Sequence, residues 1–138
     1  MGGRARPPDR EGAPLSAFSK TLEIRWRDID ALGHVNNAVY LTYLEELLTS
    51  WLRPAIGDEW VNARIELDFR RELRLADGQV IAKGELLRIG NSSLTAKVWF
   101  ERPDGQVAAG GEAVVVAWDA AARRSRPLTP AEIDRLRA

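Results

Sequence analysis

The sequence contains no cysteine, which excludes disulfides and thiolate metal ligands in this chain. It contains one histidine, which alone cannot build a histidine-rich metal site, so we predict no metal. No apolar run approaches the ~18 residues needed to cross a bilayer. The arginines near the N-terminus are not followed by the apolar segment of a signal peptide. We therefore expect a cytoplasmic protein with no membrane partner.

The sequence also has no excess of charge of either sign. Twenty basic residues balance 20 acidic ones, and the formal net charge is zero, so there is no overall electrostatic case for a nucleic-acid partner. The Gly-x-Ser-x-Gly motif of many serine hydrolases is absent. The glycine pair at positions 110 and 111 lies inside a strand pattern and does not form a nucleotide-binding fingerprint.

The length of 138 residues predicts one domain. Residues 1–17 are rich in glycine, proline, arginine and alanine without a period, which is typical of a disordered leader. The folded domain is expected over residues 18–138. Its first strand is predicted over residues 20–27, where Leu22, Ile24 and Trp26 alternate with polar side chains.

A long helix is predicted from residue 38 to about residue 53. Asn36 or Asn37 is a good helix cap, and Pro54 is expected to end the helix. Its wide apolar face consists of Tyr40, Leu41, Leu44, Leu47, Leu48, Trp51 and Leu52.

The remainder of the chain has the pattern of long strands joined by tight turns. The strands are predicted over residues 61–70, 79–89, 93–101 and 106–118. Thr129 and Glu132 then form the capping box of a short final helix. Tight turns force antiparallel neighbours, so the fold class is α+β, with one central helix wrapped by a five-stranded antiparallel sheet. Long edge strands need covering, which favours dimerisation.

The segment between the first strand and the long helix is the candidate site. Asp28 and Asp30 follow the strand, Gly33 makes a turn, and an asparagine pair precedes the helix. A carboxylate is thereby placed near a helix N-terminus, where free backbone N–H groups can stabilise an oxyanion. Asp28 is expected to be structural, paired with Arg25 or Arg27.

The string from Arg27 to Tyr40, Arg-Asp-Ile-Asp-Ala-Leu-Gly-His-Val-Asn-Asn-Ala-Val-Tyr, resembles the hotdog-fold acyl-CoA thioesterases, as does the order of elements. Within them it resembles the 4-hydroxybenzoyl-CoA thioesterase family. The resemblance implies the hotdog fold, Asp30 as catalytic carboxylate, and an oxyanion-binding N–H around Asn37. It also implies active sites between the subunits of a homodimer or homotetramer.

Other residues are candidates for supporting roles. Gly33 and His34 support the active site, with His34 either orienting Asp30 or holding the turn. Four further residues are candidates for contacting the substrate: Tyr40, Arg88, Ser92 and Ser93. Packing alone would explain Tyr40, an ordinary surface charge would explain Arg88, and only the resemblance connects the serines with the pantetheine arm.

The predicted function is hydrolysis of an acyl-CoA thioester to free acid and CoA, with Asp30 as nucleophile or general base and without a cofactor. Three alternatives remain open. The first is a thioesterase acting on acyl-carrier protein, and the second is a hydratase or dehydratase of the same fold. The third is a non-catalytic module that binds acyl-CoA, which would need no carboxylate at the thioester carbon.

Overall fold

A computed structural model describes residues 14–138 of the chain. Its two helices are α1 (Val39–Ile56) and α2 (Pro130–Arg137), and its strands are β1 (Ser16–Glu23), β2 (Trp60–Phe69), β3 (Gln79–Ile89), β4 (Ser93–Glu101), β5 (Val107–Asp119) and β6 (Arg124–Ser125). Two short 3-10 turns span Trp26–Asp28 and Leu75–Asp77. No helix among the described residues is long and apolar enough to cross a membrane.

The five long strands form one antiparallel sheet in the order β1-β3-β4-β5-β2. The bounds of β3 and β4 agree with the sequence prediction, because both are long, regular alternating segments with clear turns between them. The predicted α+β class with one main helix and a wrapped antiparallel sheet is confirmed. The structure adds β6, a two-residue strand that pairs with the end of β5.

The core lies between α1 and the concave face of this sheet. The helix contributes side chains that are fully or almost fully buried, among them Tyr43, Leu44, Leu47, Leu48 and Leu52. They pack in the same hydrophobic cluster as side chains of the sheet, among them Val80, Ala82, Leu86, Val98, Phe100 and Val115. At ~1.5–3 kcal/mol for each large apolar side chain, this burial is the main force that fixes the helix on the sheet.

The first strand differs from the prediction at both ends. It begins at Ser16, so its first two residues fall within the segment expected to be a leader, and residues 1–13 lie outside the described part of the chain. It ends at Glu23, and the 3-10 turn follows because the Asp28 carboxylate accepts a hydrogen bond from the Arg25 N–H at 2.9 Å. Trp26 therefore leaves the predicted inward face and is 81% exposed.

The predicted end of the long helix is also wrong, because α1 continues past Pro54 to Ile56. A proline removes one N–H donor from a helix, but here the loss falls in the last turn. Ala55 and Ile56 are buried, and the Arg135 Nε donates to the Ala55 carbonyl at 2.9 Å. The packing of α2 against this turn holds the helix together beyond the proline.

The predicted capping box of α2 is present and carries an ion pair. Glu132 accepts from the Thr129 N–H at 2.9 Å and from both terminal nitrogens of Arg126 at 2.8 and 2.7 Å. The Arg126 guanidinium lowers the pKa of Glu132 from 4.5 to about 2, against the opposing effect of burial. The ionised form of this side chain is therefore part of the folded state.

Replacement of Glu132 by glutamine should make stability less sensitive to acid. Because the pKa of Glu132 is lower in the folded state than in the unfolded state, its ionised form stabilises the fold above pH 4.5. This stabilisation is lost as the pH falls towards 2. We expect Glu132→Gln to lower the free energy of unfolding by about 2 kcal/mol at pH 7 and to make it fall less between pH 7 and 3, as measured by urea unfolding. Glu23→Gln, at an exposed position on β1, is the control. Equal pH dependence of wild type and Glu132→Gln would contradict the assignment.

Candidate active site

The loop between β1 and α1 is closed on itself before the helix begins. An isolated antiparallel bridge joins Ile29 to Val35, and the Asp30 N–H donates to the His34 carbonyl at 3.0 Å. Gly33 has a φ of 88° and donates to the Asp30 carbonyl at 3.0 Å. A residue with a side chain rarely adopts that φ, which explains the glycine at the predicted turn. The closed loop fixes Asp30 beside the helix start.

Asp28 is buried and structural, as the sequence predicted, but it contacts the backbone of Arg25 and not its guanidinium. Its carboxylate accepts from the Tyr43 hydroxyl at 2.7 Å and from the Arg25 N–H. The Arg25 guanidinium instead pairs with Glu46 on α1, at 3.1 Å. Burial, followed by the hydrogen bond to Asp28, raises the pKa of Tyr43, so this hydroxyl keeps its proton. Nothing in the sequence marks Tyr43 as a partner of Asp28, because a tyrosine on an apolar helix face is first a packing residue.

Asp30 is held by hydrogen bonds to both carboxylate oxygens. Oδ1 accepts from the Leu32 N–H at 2.9 Å, and Oδ2 accepts from the Asn36 side-chain amide at 3.1 Å. Burial raises the pKa of Asp30, but these two hydrogen bonds together with the neighbouring His34 outweigh it and keep the pKa below its ordinary value of 3.8. The side chain is 23% exposed and ionised at neutral pH, so it can act as a base or a nucleophile.

His34 faces the backbone more closely than it faces Asp30. Its Nδ1 lies 3.2 Å from the Val35 carbonyl, which can only accept, so Nδ1 carries the hydrogen in this contact. The distance from the same nitrogen to Asp30 Oδ1 is 3.9 Å, too long for a hydrogen bond. Of the two roles considered for His34, the geometry favours holding the turn.

One backbone N–H group at the start of α1 has no acceptor among residues 14–138. The Ala38 N–H donates to Asn36 Oδ1 at 2.9 Å, and the Val39 and Tyr40 N–H groups donate to the carbonyls of Asn36 and Asn37. The Asn37 N–H donates to no acceptor in this part of the chain. Ala38 is the residue in the capping position, not an asparagine, although the Asn36 side chain still caps the Ala38 N–H from two residues earlier.

Tyr40 lies in the core. It is 2% exposed and makes edge-on contacts with the rings of Tyr43, Phe69 and Phe100 at centroid distances of 5.3–5.8 Å. Burial raises the pKa of its hydroxyl to about 12. These contacts are the packing role that the sequence offered as the simpler explanation, and they tie the helix start to the end of β2.

The predicted pantetheine residues lie at the other end of the sheet from Asp30. The Asp30 loop borders the start of β3, where the Ile24 N–H donates to the Gly78 carbonyl. Ser92 and Ser93 follow the other end of β3. This strand has 11 residues, so its two ends are more than about 30 Å apart. Arg88, close to the same turn, is exposed and donates to Thr95 Oγ1 at 3.4 Å. One protomer alone does not bring these residues to Asp30.

A cleft of about 420 Å³ runs between α1 and the edge strand β2. It is lined by Glu45, Thr49, Arg53, Asp58, Trp60, Val61 and Asn62. It does not include Asp30. The Asn62 amide donates to Glu45, but Asn62 Oδ1 and Trp60 Nε1 are buried without a partner among residues 14–138. The sequence did not point to this cleft, because it forms only when β2 packs beside the helix.

No group of three histidine, aspartate or glutamate side chains among residues 14–138 is arranged to hold a metal ion. The described residues offer at this site one ionised carboxylate, that of Asp30, and one free backbone amide donor, that of Asn37. Such a pair suits attack on an activated carbonyl, because the carboxylate activates or performs the attack while the donor stabilises the oxyanion.

Comparison with known proteins agrees with this chemistry. The family model of the Thioesterase-like superfamily matches residues 24–136. The long-chain acyl-CoA thioesterase FadM of Escherichia coli (strain K12) is 30% identical over 96 residues, which are 64% of this chain and 73% of FadM.

Solved structures show the same fold. A thioesterase from Thermus thermophilus, complexed with coenzyme A and Zn, is 33% identical with a TM-score of 0.79, over 87% of this chain and 97% of that one. A predicted thioesterase from Bacillus stearothermophilus is 25% identical with a TM-score of 0.80, over 88% and 95% of the two chains. The chain belongs to the Thioesterase-like superfamily, has the hotdog fold, and is a thioester hydrolase.

Proposed function

We propose that the enzyme hydrolyses acyl-CoA thioesters to the free acid and CoA, with Asp30 as the catalytic carboxylate and the Asn37 N–H as an oxyanion donor. The observation that carries the proposal is the hydrogen bond from the Asn36 amide to Asp30 Oδ2. It joins the ionised carboxylate to the turn that presents the free Asn37 donor. One such donor is typically worth about 3–4 kcal/mol of barrier.

The leaving group explains why so few residues suffice. A thiolate leaves readily, with a thiol pKa of ~8.5 by analogy with cysteine, so the departing sulfur needs no general acid. The position of His34, directed at a backbone carbonyl, agrees with a reaction that does not use it. A hydratase or dehydratase would need a proton donor or acceptor of this kind, and His34 is the single histidine of the chain.

Asp30 can perform the attack in two ways. As a nucleophile, a carboxylate oxygen bonds to the thioester carbon, the C–S bond breaks, and water then hydrolyses the resulting anhydride. As a general base, the carboxylate takes a proton from water, whose oxygen attacks the same carbon. After a single turnover in H₂¹⁸O, label in the Asp30 carboxyl identifies the nucleophilic route, because only water attack at the Asp30 carbon of the anhydride puts it there. Label in the free acid alone arises both from general-base attack on the thioester and from water attack at the acyl carbon of the anhydride.

The relatives support CoA as the carrier of the acyl group. FadM is named as a long-chain acyl-CoA thioesterase, and the Thermus thermophilus structure contains coenzyme A. Placement within the narrower 4-hydroxybenzoyl-CoA thioesterase family is part of this proposal and depends on the string from Arg27 to Tyr40. A cytoplasmic location and independence of a cofactor stay predictions.

We place the complete site between two protomers. β2 forms one edge of the sheet. On it lie Trp60 Nε1 and Asn62 Oδ1, which are buried and have no partner within the described part of the chain. A two-fold axis at this edge would set β2 antiparallel to its copy, bringing the partner's Trp60 end beside Phe69. The end of the sheet that carries Trp60 also holds Ser93. Trp60 pairs with Ala117, and Ser93 pairs with the adjacent Val116. The partner's serine turn would thereby approach Asp30. A monomeric mass by light scattering at assay concentrations would contradict this arrangement.

The function is tested by thiol release across a panel of substrates. Short-chain, long-chain and aromatic acyl-CoAs are compared with the same acyl groups on acyl-carrier protein. The expected result is saturable release of free CoA with at least one acyl-CoA at a higher kcat/KM than its carrier-protein counterpart, unchanged after dialysis against a chelator. Binding of acyl-CoA without turnover would support a binding module and end the proposal.

A further inference from the structure

Asn36 connects the two halves of the proposed site through hydrogen bonds made in different directions. Its side-chain oxygen accepts from the Ala38 N–H at 2.9 Å, and its side-chain nitrogen donates to Asp30 Oδ2 at 3.1 Å. Its backbone N–H donates to the Asp28 carbonyl at 3.0 Å, and its carbonyl accepts from the Val39 N–H at 2.9 Å. Asn36 thus contacts both aspartates of the motif and the first turn of α1.

The chemistry of the partners fixes the orientation of the Asn36 amide. A backbone N–H can only donate, so the atom facing Ala38 must be the oxygen. The nitrogen therefore faces the Asp30 carboxylate, which when ionised can only accept. Neither aspartate nor serine at position 36 can satisfy both partners, because aspartate has no donor and serine is one atom shorter.

The Asp30 carboxylate depends on this donor for its orientation. Oδ1 is held by Leu32, and Oδ2 is held by Asn36, so the two bonds together fix the plane of the carboxylate. Loss of the second bond leaves Oδ2 free to rotate away from the reacting carbon.

We infer that Asn36 is a positioning residue, which orients the Asp30 carboxylate and holds it at a fixed place relative to the free Asn37 N–H. The inference rests on the proposed function and deepens it. Asn36 itself need not touch the substrate. Displacement of a catalytic group by about 1 Å can cost ~10²-fold in rate, so an effect on kcat is expected even though the residue makes no bond to the reacting atoms.

Among residues 14–138, few charged groups act on Asp30, and Asn36 itself is neutral. His34 is the titratable side chain beside it, at 3.9 Å. The Asp28 carboxylate turns inward to Tyr43, and Arg25 pairs with Glu46 on α1. A new negative charge at position 36 would therefore act on Asp30 without a cation in hydrogen-bond contact to neutralise it.

Two variants separate positioning from simple folding. Asn36→Ser and Asn36→Asp both keep an oxygen that can accept from Ala38, but the aspartate has no donor and the shorter serine hydroxyl does not reach Asp30. We expect kcat per folded molecule to fall about 10- to 100-fold in each, with KM changed less than about threefold. The acid limb of the kcat–pH profile should move upward in Asn36→Ser and further in Asn36→Asp, because a like charge raises a carboxyl pKa.

Thr42→Asp is the matched control, since it adds the same charge at an exposed position one turn along α1. Its kcat–pH profile should coincide with that of wild type. Thermal melts of every variant give the folded fraction used to correct kcat.

Wild-type kcat and acid limb in both position-36 variants, with Asp30→Asn inactive, would overturn this inference and leave the proposed function intact. A loss of activity that only follows the loss of folded protein would overturn it equally. Retained turnover in Asp30→Asn would instead overturn the proposed role of Asp30.

Discussion

Asp30→Asn should lose most of its turnover, with kcat for the best acyl-CoA substrate reduced by about 10²- to 10⁴-fold. The amide is almost the same size as the carboxylate, but it can neither accept a proton from water nor form an anhydride. Its oxygen can still accept one of the two bonds that hold Asp30, from Leu32 or from Asn36. The fold and the assembly should therefore survive, and the loss should appear in kcat measured by thiol release.

The control for this variant is Asp104→Asn, in the exposed turn between β4 and β5. It removes one negative charge from the chain at a position that is not part of the Asp30 loop, and it should keep wild-type kcat. Circular dichroism and light scattering on Asp30→Asn should match wild type. If Asp30→Asn hydrolyses acyl-CoA at the wild-type rate, Asp30 has no part in the reaction and another group must activate the water.

The motif around Asp30 predicted a candidate site, but not how its residues are connected. Asp30, Gly33 and the helix start could be read from the chain because turn glycines and helix caps have local signatures. The role of Asn36 depends on the Ile29–Val35 bridge, which closes the loop and brings position 36 back to position 30. A capping residue and a residue that orients a carboxylate have the same sequence signal.

One error in the fold arose where tertiary packing overrides a local preference, and another where a local hydrogen bond ends a strand pattern. Pro54 is a helix breaker by local chemistry, but the burial of Ile56 and the contact from Arg135 carry α1 beyond it. Trp26 continues the alternation of β1, but the Asp28 carboxylate bends the chain before it and leaves the indole in solvent. The Arg135 contact comes from 80 residues further along the chain, whereas the Asp28 contact is local and competes directly with the strand pattern.

Ser92 and Ser93 show a different limit. Their assignment came from resemblance, and in one protomer they lie at the wrong end of β3 for Asp30. Local sequence cannot show that β2 would pair antiparallel with β2 of a second copy of the chain and so bring the serine turn of that copy towards Asp30. The proposed dimer therefore depends on the sheet order, which places β2 at an edge, more than on the motif.

Gly111→Ala should be the most destabilising single-methyl change in the sheet. A Cβ at this position would lie 1.8 Å from the Glu66 carbonyl oxygen and 2.7 Å from its carbon. Both are backbone atoms of β2, which pairs with β5 through Leu67 and Gly111. Neither atom can move without opening that ladder. We therefore expect the free energy of unfolding, measured with urea, to fall by at least about 3 kcal/mol, which is the upper end for overpacking.

Gly110→Ala is the neighbouring control, because its Cβ would meet the Trp99 Cβ at 3.0 Å and the Val98 carbonyl oxygen at 3.3 Å. A shift of a few tenths of an ångström relieves these contacts, and we expect a cost of about 1 kcal/mol. Equal unfolding midpoints for the two variants would contradict the close approach of β5 to β2.

Opening the β2–β5 ladder in Gly111→Ala would also displace Phe69 from Tyr40, whose ring centroids are now 5.3 Å apart. Gly111→Ala should therefore lower kcat per folded molecule as well, since Tyr40 lies in the first turn of the helix that presents the Asn37 N–H.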